Sequence, residues 1–485
     1  MKVKIVLKDE VNCRLENLPL EDRKYLSKKY SLMLPYAYHT PAFKLGRWDG
    51  KVNFFSVGGG TYNNILPEIL EYLVSKKYDF DLEDKRVSYD FSGMKPVTET
   101  SLSHIKWPEG HPHAGEPVML RDYQVNAVNK FIEHPQAIQE LSTSSGKTII
   151  TATLSMIVEQ YGKTIVIVPN KSLVEQTLED YENVGLDVGV YYGDRKDLDK
   201  THTICTWQSL EAMERQFRDE KRKDGLKEYS EGIIAVIVDE AHGADATVLK
   251  RILTGPFANI PLRWGLTGTI PKDSVSQMSL RINLGDVVNQ VKASELQERG
   301  VLSSCDIKIL QTQDNVFYNN YQSETAFLTG DPERIKWMAE KIREVCSTGN
   351  TLILVDKIKT GKELNRLVPD SVFVHGVVKQ KDRKAEYKSI NDSENKPLIA
   401  TYGVAAVGIS ITRLQNVIMI ESGKSFVRVI QSIGRGLRKG FDKDHVDIWD
   451  ICSNAKYSKR HLTERKKFYK QAEYPFKIIK VNYKE

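Results

Sequence analysis

Two short clusters carry residue types and spacings that could do chemistry: Ser142-Thr143-Ser144-Ser145-Gly146-Lys147-Thr148 and Asp239-Glu240-Ala241-His242. A loop of small residues ending in Gly-Lys-Thr can turn its backbone N–H groups onto phosphate oxygens. Thr143, Ser144, Ser145 and Gly146 would form that cradle. Lys147 would reach the β/γ-phosphates, and the Thr148 hydroxyl would ligate Mg²⁺. In the second cluster Asp239 would hold the same Mg²⁺, directly or through water, while Glu240 would orient and polarise the attacking water. His242 reads either as a coupling residue or as a loop histidine. The tripeptide Gly-Lys-Thr is common by chance, and Leu141 stands where the first glycine of such loops is usual. The joint presence of both clusters is what implies hydrolysis of ATP with Mg²⁺.

These groups need rigid elements to hold them. Residues 233–238, Ile-Ile-Ala-Val-Ile-Val, read as a buried parallel strand that delivers Asp239 at its end. Similar β-branched runs recur at 164–168 and 203–206, separated by helical stretches, and again at 351–355, 371–374, 397–400 and 417–420. Strands alternating with helices predict parallel sheets with right-handed crossovers. The chain is expected to divide into a small α+β N-terminal domain (1–90, with a helix over 66–77), a Pro/Gly/Ser/His-rich linker (91–117), two α/β domains (118–300 and 301–455) and a basic C-terminal tail (456–485).

At 485 residues, with 40% hydrophobic and 28% charged side chains, the composition is that of a globular protein of about three domains. No run approaches the ~20 apolar residues of a membrane span. The start, Met1 to Lys8, lacks a signal-like apolar core and predicts an edge or meander strand. Five cysteines without paired spacing imply neither a zinc site nor a disulfide framework, and so a reducing, intracellular setting. The net charge of +6 is unevenly placed. Residues 451–485 hold ten Lys/Arg against three Glu, and residues 1–60 hold eleven against six acids. Basic ends suggest a polyanionic partner, or equally a solvated surface.

Further motifs resemble those of superfamily 2 helicases, in the family's order. Leu120-Arg121-Asp122-Tyr123-Gln124 resembles the adenine-recognition motif, with Arg121 and Gln124 as nucleotide contacts. Residues 168–176, with Asn170 and Lys171, resemble a motif that grips the nucleic-acid backbone, as does Cys205-Thr206-Trp207-Gln208. Leu266-Thr267-Gly268-Thr269 resembles the motif that couples ATP to nucleic acid, with Thr267 and Thr269 working beside His242. Residues 400–409 resemble the fifth motif, with Thr401 on nucleic acid and Gly408 on nucleotide. Residues 431–438 resemble the sixth, in which Arg438 is the arginine finger and Gln431 and Arg435 its neighbours. The resemblance implies two tandem RecA-like parallel-sheet domains closing on ATP. An arginine finger is worth ~10³–10⁵ in rate.

The segment from Tyr38 to Phe55 interleaves aromatics with Arg47, Trp48 and Lys51. It could stack on bases and lie on phosphates. It could also be a turn, Trp48-Asp49-Gly50-Lys51, over a small aromatic core. Together with the compact core it resembles the phage UvsW-type recombination helicases, and more weakly the XPB-like helicases. Asp-Glu-Ala-His stands where the UvsW-type pattern has Asp-Glu-Cys-His, a change outside the two carboxylates. That resemblance implies an enzyme in the host-cell cytoplasm that unwinds or branch-migrates branched DNA: Holliday junctions, forks, D-loops, R-loops with their RNA–DNA hybrid. Two core domains in one chain, which complete an ATP site, predict a monomer. Two other readings stay open, an RNA or general duplex helicase and an ATP-switched remodelling motor.

Overall fold

The computed structural model describes residues 2–109, 113–245, 247–378, 380–405, 411–425, 433–434, 436–437 and 443–484. The chain divides into two compact units, Met1–Leu141 with Gly146–Gln290, and Ser142–Ser145 with Val291–Glu485.

The first unit contains two sheets of unlike size. Near the N-terminus, strands Lys2–Leu7, Asn12–Glu16, Gly60–Tyr62 and Asp79–Asp84 form a four-stranded sheet. Lys2–Leu7 is interior to that sheet, not at its edge: it pairs antiparallel with Asn12–Glu16 and parallel with Asp79–Asp84. Alternation explains the placement, since Val3, Ile5 and Leu7 are buried while Lys2 and Lys4 reach solvent-side acids. The helix expected over 66–77 forms as Leu66–Ser75, with Pro67 in its first turn and Leu66, Ile69 and Leu73 buried. Its core is continuous with Val275 and Ile282 of the larger α/β part. Polar contacts reinforce the join: Glu10 N–H donates to Ala258 O and Asn64 Nδ2 to Arg281 O, each at 2.9 Å. The segment expected as a linker is also packed down, burying Met94, Val97 and Leu102, with Val97 N–H held by Asn129 Oδ1 at 2.8 Å.

The large sheet of this unit has eight strands in the order Arg195–Lys196, Val188–Tyr192, His202–Thr206, Lys163–Val168, Ile233–Asp239, Leu262–Thr267, Gln136–Leu141, Asp286–Val291. The central strands are parallel. They are buried on both faces, which is why they read as unbroken apolar runs. Leu141, Val168, Thr206, Asp239 and Thr267 therefore all end strands on one edge of one sheet.

The second unit carries a seven-stranded sheet, Val372–Val374, Pro397–Thr401, Thr351–Val355, Asn416–Ile420, His445–Ser453, Ser304–Thr312, Phe476–Val481, with every pairing parallel. Residues 456–485 are thus not a tail. They supply the helix Lys456–Gln471 and the strand Phe476–Val481, which pairs with Ser304–Thr312. Arg465, read as part of a basic surface, is fully buried. Its Nε and Nη2 meet Asp450 Oδ2 and Oδ1 at 2.9 and 3.0 Å, and its Nη1 donates to Gly423 O at 2.7 Å. The helix start is fixed by Glu324, which is buried and accepts from the N–H groups of Tyr457 and Ser458 at 2.9 and 2.7 Å. A carboxylate there meets the positive end of the helix dipole.

Candidate ATP site and nucleic-acid interface

The loop after strand Gln136–Leu141 opens the helix Lys147–Val158. Ser144 and Gly146 both sit in the left-handed region, with φ of +68° and +82°. Alternating handedness over successive residues makes backbone N–H groups converge into an anion-binding concavity. At Gly146 the conformation and the space agree: a Cβ would lie 2.5 Å from Gln124 Nε2. The expected adenine-reading glutamine is therefore seated against the phosphate loop's glycine. Its Oε1 already accepts from Arg121 N at 2.9 Å, closing the N-terminus of the helix Asp122–Glu133. Thr143 Oγ1 is buried and has no hydrogen-bond partner among the described residues.

Lys147 Nζ stands 3.3 Å from Glu240 Oε1, with side chains only 10% and 15% exposed. Glu240 has φ +51°, a left-handed backbone that costs a non-glycine residue about 1 kcal/mol or more. Its N–H donates to Asp239 Oδ1 at 2.9 Å. Burial alone would push both carboxyls up. At Glu240 the Lys147 ammonium and the His242 ring outweigh it and hold the group well below the usual carboxylate range. At Asp239 burial wins over Lys147, and the carboxyl is raised. A half-buried Thr148 hydroxyl and the Asp239 carboxylate are oxygen donors of the kind a hard cation such as Mg²⁺ takes beside phosphate oxygens.

From Glu240 a chain of contacts leads along the sheet edge. His242 Nδ1 lies 3.4 Å from Glu240 Oε2 and 3.0 Å from Thr267 Oγ1. Thr267 Oγ1 donates to Thr269 O at 2.9 Å and takes the Thr269 N–H at 3.2 Å. The three expected coupling residues are thus one connected network touching the Glu240 carboxylate. Sequence reasoning missed Tyr181, fully buried, whose hydroxyl lies 3.1 Å from Ser155 Oγ on the helix that follows the loop. Burial first, then the nearby Asp239 charge, pushes that phenol up to about 12, so it stays a neutral donor. The signal for it was two hydroxyls at i and i+4, Thr151 and Ser155, on one face of an apolar helix.

Among the expected nucleic-acid residues, Asn170 and Thr206 are helix caps. Asn170 Oδ1 accepts from Leu173 N at 3.1 Å and Thr206 Oγ1 from Ser209 N at 3.2 Å. Each cap aims a thirteen-residue helix's N-terminus out of the sheet edge, a ready phosphate seat. Lys171 Nζ lies over the Tyr192 ring at 5.1 Å, Trp207 is half-buried against the core, and Gln208 is exposed. Thr401 ends strand Pro397–Thr401 in the second unit. Arg47 and Lys51 are exposed on the turn and Trp48 is half-buried: Trp48 Nε1 donates to Lys51 O at 3.0 Å, and Asp49 Oδ1 takes the Lys51 N–H at 3.1 Å. Gly50 makes that turn possible, at φ +78° with Ala37, Met33 and Phe43 within 2.9 Å of where a Cβ would stand. The aromatics divide. Phe54 and Phe55 are core, whereas Tyr36 and Tyr38 are about 60% exposed. Gly408, Gln431, Arg435 and Arg438 lie outside the described residues.

Two family models match the chain in succession, the res subunit of type III restriction enzymes over residues 117–272 and the helicase conserved C-terminal domain over residues 334–440. The second match spans the segment with Gly408, Gln431, Arg435 and Arg438. The chain is 25% identical to the ATP-dependent DNA helicase UvsW of Enterobacteria phage T4, over 88% of this chain and 86% of that one. It is 27% identical to the DNA 3'-5' translocase XPB2 of Sulfurisphaera tokodaii, over 38% of each chain. A fragment of an HsdR subunit of a type I restriction enzyme from Vibrio vulnificus shares the fold, with a TM-score of 0.58 at 15% identity, over 97% of this chain and 85% of that one. With the two family models in succession, a UvsW-type relative along most of its length, and the loop, the Asp239 and Glu240 carboxylates and Thr267 on one sheet edge, the chain is a superfamily 2 helicase that hydrolyses ATP.

Proposed function

We propose that this helicase is a DNA motor that acts on branched duplexes, remodelling four-way junctions, forks, D-loops and R-loops in recombination, repair and replication. The observation that carries the branched-DNA reading is the N-terminal subdomain. Its exposed Tyr36, Tyr38, Arg47 and Lys51, with the half-buried Trp48 between them, sit on a body whose core and backbone are joined to the first α/β domain. A basic and aromatic face fixed to a motor can hold one arm while the motor pulls another. The phage T4 relative, an ATP-dependent DNA helicase, agrees with that reading.

In the ATP cycle Lys147 would leave Glu240 for the β/γ-phosphates, and Glu240 would then be free to polarise water. Thr148 and Asp239 would hold Mg²⁺, which would supply charge neutralisation at the phosphates. Arg438, by the family pattern, would stabilise the transferred phosphoryl, with Gln431 and Arg435 beside it and Gly408 on the nucleotide. Loss of the γ-phosphate contact would reach Thr267 and Thr269 through His242. Asn170, Lys171, Thr206, Gln208 and Thr401 would read phosphate and sugar and not base edges, so little sequence preference is expected. We read the protein as a monomer working in the host-cell cytoplasm. The test is ATP hydrolysis and strand separation on a synthetic four-way junction beside a linear duplex of matched length. Preference for the junction supports the proposal. Equal action on RNA duplex, or on linear DNA, removes it.

A further inference from the structure

The second unit has an aromatic and cationic face that none of the helicase motifs uses. Strand Ser304–Thr312 ends near Phe317 and Tyr321, and strand His445–Ser453 leads directly into helix Lys456–Gln471. Phe317 is 72% and Tyr321 42% exposed. The Tyr321 ring stands edge-on to Tyr457 at 6.2 Å and 5.0 Å from His461. Lys456 Nζ lies 5.6 Å from the Phe317 ring and 5.3 Å from that of Tyr457. Lys456, Lys459 and Arg460 are exposed, and among the described residues none has a carboxylate within ion-pair distance. On the same helix Lys467 does, pairing with Glu464 at 2.8 Å. Exposed rings are costly in water, and unpaired cations beside them repel one another. Both penalties are relieved by a ligand with flat π-faces and regular negative charge.

The position narrows the choice of ligand. All strands of this sheet are parallel, so Phe317, Tyr321 and Lys456 lie beyond the same carboxyl edge that presents Thr401. Between strands Pro397–Thr401 and Ser304–Thr312 there are four strand spacings, or roughly 19 Å at ~4.8 Å each. A backbone gripped at Thr401 can run along that edge to the rings without a turn. A duplex hides its base faces, whereas a single strand presents them.

We propose that Phe317, Tyr321 and Tyr457, with Lys456, Lys459 and Arg460, form a stacking subsite for single-stranded nucleic acid at the carboxyl edge of the second sheet. It would receive the strand leaving the motor and keep it from re-annealing. The inference rests on the helicase reading but can fail separately from it. Stimulation of ATP hydrolysis by DNA in the unaltered protein tests the reading. The subsite is tested by binding of a fluorescent oligothymidylate and of a matched abasic oligomer across a salt series. Phe317→Ala/Tyr321→Ala is expected to weaken oligothymidylate binding ~5–150-fold per lost stack, with the salt slope unchanged and abasic binding unaffected. Lys456→Gln/Arg460→Gln is expected to lower the salt slope by about 1.4, since each lost phosphate contact removes ~0.7 on single strands. Circular dichroism melts equal to the parent's show that the variants fold, and Tyr321→Trp should restore binding if a destabilised Ala variant does not report. Unchanged oligothymidylate affinity in folded variants overturns the proposal. So does an equal loss on the abasic oligomer or on blunt duplex, which would make the face a general phosphate or protein contact.

Discussion

Lys147 with Glu240 and Arg465 with Asp450 are both buried ion pairs, and the way each is completed separates a working site from an architectural one. Arg465 spends its guanidinium on both Asp450 oxygens and on Gly423 O, and Tyr469 donates to Asp450 Oδ2 at 2.8 Å. Lys147 makes one ion contact to Glu240, at 3.3 Å, on a residue with left-handed backbone. Glu240 Oε2 is buried and, among the described residues, meets His242 only at ion-pair range. Buried polar groups are normally satisfied, so an incomplete pair is reserved for something that arrives. A complete pair has nothing left to offer and holds the helix Lys456–Gln471 to its sheet.

Lys147→Ala breaks the comparison most severely. It should lower ATP turnover by at least ~10²–10³, because a charge aimed at the developing phosphate charge is lost. Nucleic-acid binding should persist, as read by phosphate release beside fluorescence anisotropy. Normal turnover would remove the assignment of the site. Glu240→Gln tests the partner: a ~10²–10⁴-fold fall in kcat with nucleotide still bound is expected if the carboxylate positions and polarises water. Retained kcat with weakened nucleotide binding would make Glu240 only the resting place of Lys147.

Arg465→Leu should cost about 3–5 kcal/mol of stability, because Asp450 is left charged and buried. Glu240→Gln should cost less: Lys147 loses the carboxylate that outweighs burial, but its ammonium is partly exposed and can turn to solvent, whereas Asp450 is sealed in. Melting curves of the two variants side by side sharpen the comparison. Similar losses would mean that the Lys147 pair is as structural as the Arg465 pair.

The difference between the pairs also marks how far the sequence could be read. Residues 233–238 announce a buried strand because parallel strands covered on both faces carry no polar alternation. The phosphate loop and the acidic cluster are local patterns, and their neighbours on the sheet edge follow from strand order. Arg465 is invisible at that level. Its charge counts toward a basic surface until Asp450, fifteen residues earlier, is known to lie under it. Phe476–Val481, Phe-Lys-Ile-Ile-Lys-Val, has no strict alternation and joins the sheet through Ser304–Thr312, a pairing no local pattern contains. Glu240's backbone is a third case: nothing in Asp-Glu-Ala-His shows a left-handed glutamate, which the ends of two packed elements impose.

The smallest effect concerns His461, on the same helix as Arg465. Burial first, then the cations Arg465, Lys424 and Arg460, pushes its imidazole down to about 4 from an ordinary 6.5. Between those two pH values the unfolded chain binds a proton that the folded chain refuses, so stability must rise with pH across that window and fall as the solution is acidified. His461 is half-exposed, and solvent screening keeps the effect modest. In His461→Gln the refused proton no longer exists, so the melting temperature should drop less than the parent's between pH 6.5 and pH 4.5, with the two proteins alike above pH 7. Identical acid slopes would mean that the cations around His461 rearrange on acidification. The second unit would then be held less rigidly at this helix than the saturated Arg465–Asp450 pair implies.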